Sequence, residues 1–299
     1  MRKLSRRAAS IALAAAMLFT TAGVSQIEAA STGKLSVTGY QDYNDAQKIL
    51  KEVNKYRKKN GRKALKMDRG LTNSAIMRGF ETTIYIPETS PHRRPNGKLS
   101  KSINKKIIYE NCAQSAGTTP KQIVKGWINS STHRKGLLLS NAKSVGVAAV
   151  TVVSRDGYEA NTWVLDFSSS KAKKVEKSKA RKQFTKNIVT KNSYLKKSYL
   201  KLDSRYGTIW ETEKMQMKPT YQGKMMKEYG VYPTVINTSS FTSWKSSNPS
   251  VASVDSNGRI IGNKAGTATI SAKLKTGTKI TISKKIKVIP TNQQIDPWE

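Results

Sequence analysis

His92 and His133 are the entire histidine content of this chain, and neither sits on an apolar helical face. Neutral imidazoles bind zinc and similar ions, and two of them with one carboxylate make an open site that leaves a position for water or ligand. Glu110 is the candidate carboxylate. It follows Ile107-Ile108-Tyr109 into an apolar setting, where an acid must be paired or its pKa rises. Two blander readings stand beside this one: the histidines hold loops together by hydrogen bonds, and Glu110 is ion-paired with His92 or Arg134. A hydrolase can also be assembled from these residue types, with Ser130 or Ser131 as nucleophile, His133 as base and Glu110 as orienting acid. Triads are defined by geometry, however, and no Gly-x-Ser-x-Gly elbow occurs. Cys112 directly follows Glu110-Asn111, as a thiol nucleophile or as a small hydrophobe. Being the single cysteine, it excludes an internal disulfide framework and a cysteine-cluster metal site.

The elements that position these residues follow from periodicity. Asn44 reads as the cap for a helix whose face carries Ala46, Ile49, Leu50, Val53 and Tyr56 and which ends near Gly61. Asp68 caps a second helix holding Leu71, Ala75 and Phe80, with Glu81 near its end. A Pro- and Gly-bearing loop with His92 follows. Thr119-Pro120 opens a helix with Ile123, Val124, Trp127 and Ile128 on one face. Val145–Val153 and Asn161–Phe167 read as strands joined through Asp156-Gly157. Helices and strands without strict alternation argue a layered α+β domain.

The chain has 299 residues and 54 Lys+Arg against 19 Asp+Glu, a formal charge of +35, with 37% apolar residues, enough for real cores. No apolar run reaches the ~18–20 residues of a spanning helix, which argues against a polytopic membrane protein. Met1–Arg7 is basic and Ala8–Ala22 mostly apolar, so residues 1–30 read as a signal peptide and the mature chain as secreted or cell-surface associated, without a covalent anchor. Residues 171–200 are a basic run whose only acid is Glu176, and at least its first half reads as a solvated linker. The charge points to anionic cell-envelope polymers or host surface ligands as partners. Nucleic acid is disfavoured, because the lysines are scattered and no aromatic-basic recognition motif occurs.

In order, the first zone carries Asn54-Lys55-Tyr56-Arg57, Gly61, Leu65, Leu71, Ala75, Glu81, His92-Arg93-Arg94-Pro95-Asn96-Gly97, Glu110-Asn111, Trp127-Ile128-Asn129-Ser130-Ser131-Thr132-His133-Arg134, Val145-Gly146-Val147 and Trp163. Over residues 43–169 this resembles the bacterial branch of the CAP superfamily, the sperm-coating-protein-like extracellular domains. The resemblance implies an α-β-α sandwich with a cleft where two histidines and acidic residues meet and where some members bind a divalent metal. By position His92 matches the family's first histidine, Glu110 the acid of its Glu-Asn pair, and His133 the histidine that bacterial members carry after the tryptophan helix. Ser130 stands where eukaryotic members place a glutamate, and their later strand histidine has no counterpart. Glu81 is the remaining candidate for a second acid.

The C-terminal zone, with Trp244-Lys245-Ser246-Ser247-Asn248-Pro249-Ser250-Val251, Asn257-Gly258-Arg259-Ile260 and Ala265-Gly266-Thr267-Ala268-Thr269-Ile270, resembles a group 2 bacterial Ig-like domain from about 241 to 289. Alternation through Ala268, Ile270, Ala272 and Leu274 agrees. The expected chain is thus α+β: a signal peptide at 1–30, a CAP-like α-β-α sandwich at 43–169, a basic linker at 171–200 and an all-β Ig-like sandwich at 201–290. The expected function is a non-enzymatic extracellular binding protein with a divalent metal, zinc foremost, or a small ligand at His92, Glu110 and His133. The rival is a secreted metal-dependent or Ser/His hydrolase.

Overall fold

The computed structural model describes residues 32–85, 92–203, 207–228, 230–275 and 279–291. The proposed signal peptide at 1–30 lies outside the described residues. The chain divides into two compact units. Gly39–Val153 and Gly157–Phe184 belong to the first; the stretch ending at Thr38, Ser154–Asp156 and the chain from Thr185 belong to the second. Among the described residues, no helix is long and apolar enough to cross a membrane.

In chain order the first elements are β1 (Thr32–Asp42), α1 (Tyr43–Lys59), β2 (Lys66–Met67), α2 (Arg69–Tyr85), β3 (Tyr109–Ser115), α3 (Pro120–Asn129), α4 (Ser131–Leu137), β4 (Ser144–Val153), β5 (Glu159–Ser168) and β6 (Arg181–Lys191). Their sheet runs β3-β5-β4-β1-β6, with β2 paired to β4. Side-chain alternation sorts the layers. Val145, Val147 and Ala149 of β4 and Trp163, Leu165 and Phe167 of β5 share a core with Ala46, Ile49 and Val53 of α1 and Ile123, Val124 and Trp127 of α3. The intervening residues face α2. A Cβ on Gly146 would lie 2.2 Å from the Leu71 carbonyl, and one on Gly79 would lie 2.7 Å from Val150. Helices on both faces of one sheet make an α-β-α sandwich. They also explain why β4 is apolar almost throughout: neither of its faces meets water.

The caps follow ordinary chemistry, with one correction. Asp42, not Asn44, caps α1, its side chain accepting from the Asp45 N–H. Asn44 lies inside the first turn because β1 runs directly into the helix. Asp68 caps α2, Oδ1 accepting from the Leu71 N–H at 2.9 Å. Thr119 and Gln122 form a reciprocal capping box on α3, with Pro120 in the first turn.

The basic run also differs from a solvated linker. Phe184, Ile188 and Thr190 share one face of β6, where Ile188 is fully buried, so period-two alternation makes the second half a strand despite its lysines. The first half lacks regular structure but is tied down. Lys173 N–H donates to Asp68 Oδ2 at 2.8 Å, Glu176 N–H to the Met67 carbonyl at 2.9 Å, and Arg69 pairs with Glu176 at 2.9 Å.

The second unit continues with β7 (Leu200–Asp203), β8 (Thr208–Trp210), β9 (Lys214–Gln216), β10 (Lys218–Tyr221), α5 (Lys224–Glu228), β11 (Thr234–Val235), β12 (Phe241–Ser246), β13 (Ala252–Val254), β14 (Arg259–Gly262), β15 (Gly266–Leu274) and β16 (Thr281–Ile289). The sheets run β12-β15-β16-β8, β13-β14-β9 and β11-β10-β7. Buried Ala268, Ile270, Ala272 and Leu274 alternate along β15 as the sequence predicts. The Met215–Pro219 segment is two strands, broken at Met217. The Asn257-Gly258 turn is longer than the two-residue hairpin its sequence suggests. It spans Asp255–Gly258, with the Asp255 carboxylate accepting from the Asn257 and Arg259 N–H groups and Gly258 at φ +74°.

Candidate functional site

In β3, Glu110 and Cys112 are two residues apart and so project from the same face. The ladder fixes which face. Glu110 lies opposite Asp166 of β5, and Cys112 opposite Val164, both on the side covered by α2. From α2 comes Arg78, with no exposed side chain, reaching Glu110 at 2.8 Å and Glu81, one turn along its own helix, at 2.8 Å. His92, on the loop after α2, brings Nδ1 to 3.0 Å from Glu110 Oε1. The same loop is fastened by Arg94, whose guanidinium donates to Glu81 Oε1 at 2.8 and 2.9 Å.

Electrostatics follow from that packing. Burial alone would raise the Glu110 pKa, but the Arg78 charge and the hydrogen bonds from Arg78 and His92 override it, and the carboxyl is held well below the usual carboxylate range. Burial opposes the charge of Arg78 too, and Glu110 restores it, so the guanidinium stays protonated. Asp166 has no such support. It is fully buried, and among the described residues neither carboxyl oxygen has a hydrogen-bond partner. Burial, and then the neighbouring Glu110 charge, push its pKa well above the ordinary value. Burial followed by the Glu110 charge likewise pushes the Cys112 thiol up.

His92 and Glu110 are therefore brought together as the sequence predicts. Their close group is completed by Cys112: one ring nitrogen, one carboxylate oxygen and Sγ all lie within 4.8 Å of one another. His133, the expected third member, is outside that group. On α4, its Nδ1 meets Ser130 Oγ at 2.9 Å, and its ring also hydrogen-bonds the backbone of Cys112 on the edge strand. It remains near enough for the His92 charge, after burial, to lower its pKa. The loop-tethering alternative thus describes His133 well.

The hydrolytic constellation is half present. Ser130 and His133 touch, but Glu110 does not orient His133, because its oxygens are taken by Arg78 and His92. Glu81 is not a spare acid either, since Arg78 and Arg94 engage both of its oxygens. Arg134 turns away from Glu110 and donates to the Ile128 carbonyl at 3.1 Å.

Arg78 and Asp166 are the residues that motif reading misses. A signal exists for both. Arg78 stands one turn before Glu81 in a helix of Leu, Ile and Phe, and Asp166 lies between Leu165 and Phe167. A charge inside an apolar run is buried and must be paired or neutralised.

Residues 50–167 match the model of the CAP family (cysteine-rich secretory protein family), and residues 222–284 that of the bacterial Ig-like domain, group 2. A curated relative, the uncharacterized protein YkwD of Bacillus subtilis (strain 168), is 33% identical over 119 residues. The match takes in 38% of this chain and 44% of that relative, so the chain spans less than half of its length. Among solved structures, an extracellular protein containing a SCP domain from Bacillus anthracis str. Ames is similar at a TM-score of 0.33 and 18% identity, over 42% of this chain and 41% of that one. An outer surface protein from Borrelia burgdorferi gives a TM-score of 0.34 and 16% identity, over 44% of this chain and 98% of that one.

Proposed function

We propose that this chain, which carries a CAP-family domain followed by a group 2 bacterial Ig-like domain, is an exported, non-enzymatic binding protein whose CAP cleft holds a divalent metal or a small ligand. The observation that carries the reading is the His92–Glu110 contact. The acid is 2% exposed and anchored on Arg78, whereas the imidazole is 42% exposed, so a held carboxylate lies beneath a solvent-facing ring. Such a pair orients a cation or a polar ligand without needing to move. A bound zinc ion would supply a fixed positive charge and Lewis acidity toward an anionic or carbonyl group of the ligand. His92 and Glu110 would hold it, while Arg78 keeps Glu110 ionised and aimed. Export is supported by the basic and apolar N-terminal sequence.

Zinc titration of the full chain by calorimetry tests this. The His92→Ala chain is expected to bind at least about tenfold more weakly, one step of about 1.4 kcal/mol. Equal affinity in the two chains overturns the reading. A hydrolase remains the second reading on the strength of the Ser130–His133 contact at 2.9 Å. Turnover of peptide or ester substrates by the wild type, lost in His133→Ala, would favour it.

The partner we propose is an anionic envelope polymer. In the second unit a cavity of ≈ 390 Å³ is lined by Arg155, Lys197, Lys201 and Lys284 around Asp203. Asp203 pairs with Arg155 and Lys284, and Asp156 with Arg155, so Lys197 and Lys201 supply the charge that an entering phosphate or carboxylate would meet.

A further inference from the structure

The cleft's most unusual feature is a thiol where only oxygen and nitrogen donors were expected. Cys112 is the single cysteine of the chain, and its Sγ lies in the same close group as the His92 nitrogen and the Glu110 oxygen. Ligand atoms bound to one ion at ~2.0–2.3 Å sit about 3.5 Å apart at tetrahedral angles, so the widest pair of this group has to close by at most about 1.3 Å to share an ion. The 3.0 Å His92–Glu110 separation already has that scale.

A second observation points the same way. Glu81 and Glu110 each have a guanidinium against them, from Arg94 and Arg78, but Asp166, across the ladder from Glu110, is fully buried without a hydrogen-bond partner among the described residues. A buried carboxyl without donors is costly. It lies on the face that carries Glu110 and Cys112, so a further buried carboxyl without a cationic partner among the described residues borders the same group.

We propose that Cys112 is a metal ligand, forming with His92 and Glu110 a mixed sulfur, nitrogen and oxygen site for a borderline-soft divalent ion of the zinc and cobalt class rather than for calcium or magnesium. This rests on the metal reading of the cleft and sharpens it. On binding, the Sγ–H bond is replaced by a sulfur–metal bond and the proton passes to solvent, with no change of oxidation state. His133 stays outside the ligand set, its ring held by Ser130 and the Cys112 backbone, and thereby fixes the strand that presents the sulfur. Three protein ligands leave a fourth position on the solvent side, where His92 is exposed.

Cobalt(II) titration of the full chain is the test, because a thiolate ligand adds an intense near-ultraviolet charge-transfer band that nitrogen and oxygen ligands do not give. The wild type is expected to show the band. Cys112→Ser is expected to lose it and to bind cobalt more weakly by at least the roughly 10–100-fold that outer-shell partners alone cost. Cobalt bound by the wild type without the band, or a band that survives in Cys112→Ser, overturns the sulfur ligand and leaves the His92–Glu110 reading standing. Failure of the wild type to bind cobalt or zinc at all overturns both. Should Cys112→Ser not fold, zinc-edge X-ray absorption on the wild type decides alone: a zinc–sulfur path near ~2.3 Å supports the assignment, and a shell of only nitrogen and oxygen refutes it.

Discussion

Glu110 and Asp166 stand opposite each other in the β3–β5 ladder, two buried acids of which only Glu110 has a guanidinium against it. The buried acids Glu110 and Glu81 both depend on that guanidinium. Arg78→Leu strips the partner from Glu110 and from one oxygen of Glu81 and leaves their charges buried. Breaking a buried pair from one side costs ~3–5 kcal/mol. Urea unfolding is expected to report a loss of that size, and a loss below ~1 kcal/mol would mean that water reaches these carboxylates.

The contact between α2 and the sheet makes a second prediction. At Gly146 the helix backbone is so near that a methyl group would overlap the Leu71 carbonyl carbon and oxygen at 2.2 Å. Overpacking costs ~1–3 kcal/mol when side chains can yield, and backbone yields less, so Gly146→Ala is expected at or beyond the top of that range. Gly126, inside α3 with nothing within 4 Å of its would-be Cβ, is the control. Gly126→Ala is expected to stabilise by ~0.5–1 kcal/mol. Thermal unfolding of the two variants should move in opposite directions.

Acid sensitivity is expected from the Asp68 clasp. Burial pushes that carboxyl up, but the N–H groups of Leu71 and Lys173 outweigh burial and bring its pKa below the ordinary value. The unfolded chain therefore takes up the proton first. The stabilisation is fully present above the unfolded value of about 4 and is lost as pH falls below it. Glu176, also lowered against its burial by the Ser178 N–H and Arg69, adds to the same window. The urea midpoint should fall between about pH 5 and pH 3, and Asp68→Asn, which keeps a capping oxygen, should show a shallower fall. An unchanged slope in that variant would remove Asp68 from the account.

Charge in the second unit sets the fourth prediction. Binding to a phosphate-bearing polymer on beads should weaken steeply with salt, because the Debye length shrinks from about 10 Å at 0.1 M to about 3 Å at 1 M. Lys197→Glu with Lys201→Glu should release the protein at lower salt than reversal of two lysines elsewhere, such as Lys58 and Lys59. Equal release points would mean that bulk charge, rather than the Arg155–Lys284 cavity, does the binding.

Much of this is legible in the sequence alone. The α2 and α3 caps, the Trp127 face and the alternation of β15 rest on local patterns, which short-range chemistry enforces. The His92–Glu110 meeting is legible through motif order. What escapes is non-local. Period-two burial of Phe184, Ile188 and Thr190 is drowned by surrounding lysines in the sequence. Which ring nitrogens of His133 are already engaged depends on Ser130 and on the edge strand, and the sulfur of Cys112 joins the cleft only because β3 alternates toward α2 rather than away from it.

One detail of α2 reaches further than its own helix. Glu81 bonds inward to Arg78, which holds Glu110, and outward to Arg94, which carries the loop bearing His92. Rim and floor are thus latched to a single carboxylate. Removing that one side chain is therefore expected to slacken both at once, freeing the imidazole from above and unpinning the acid from below.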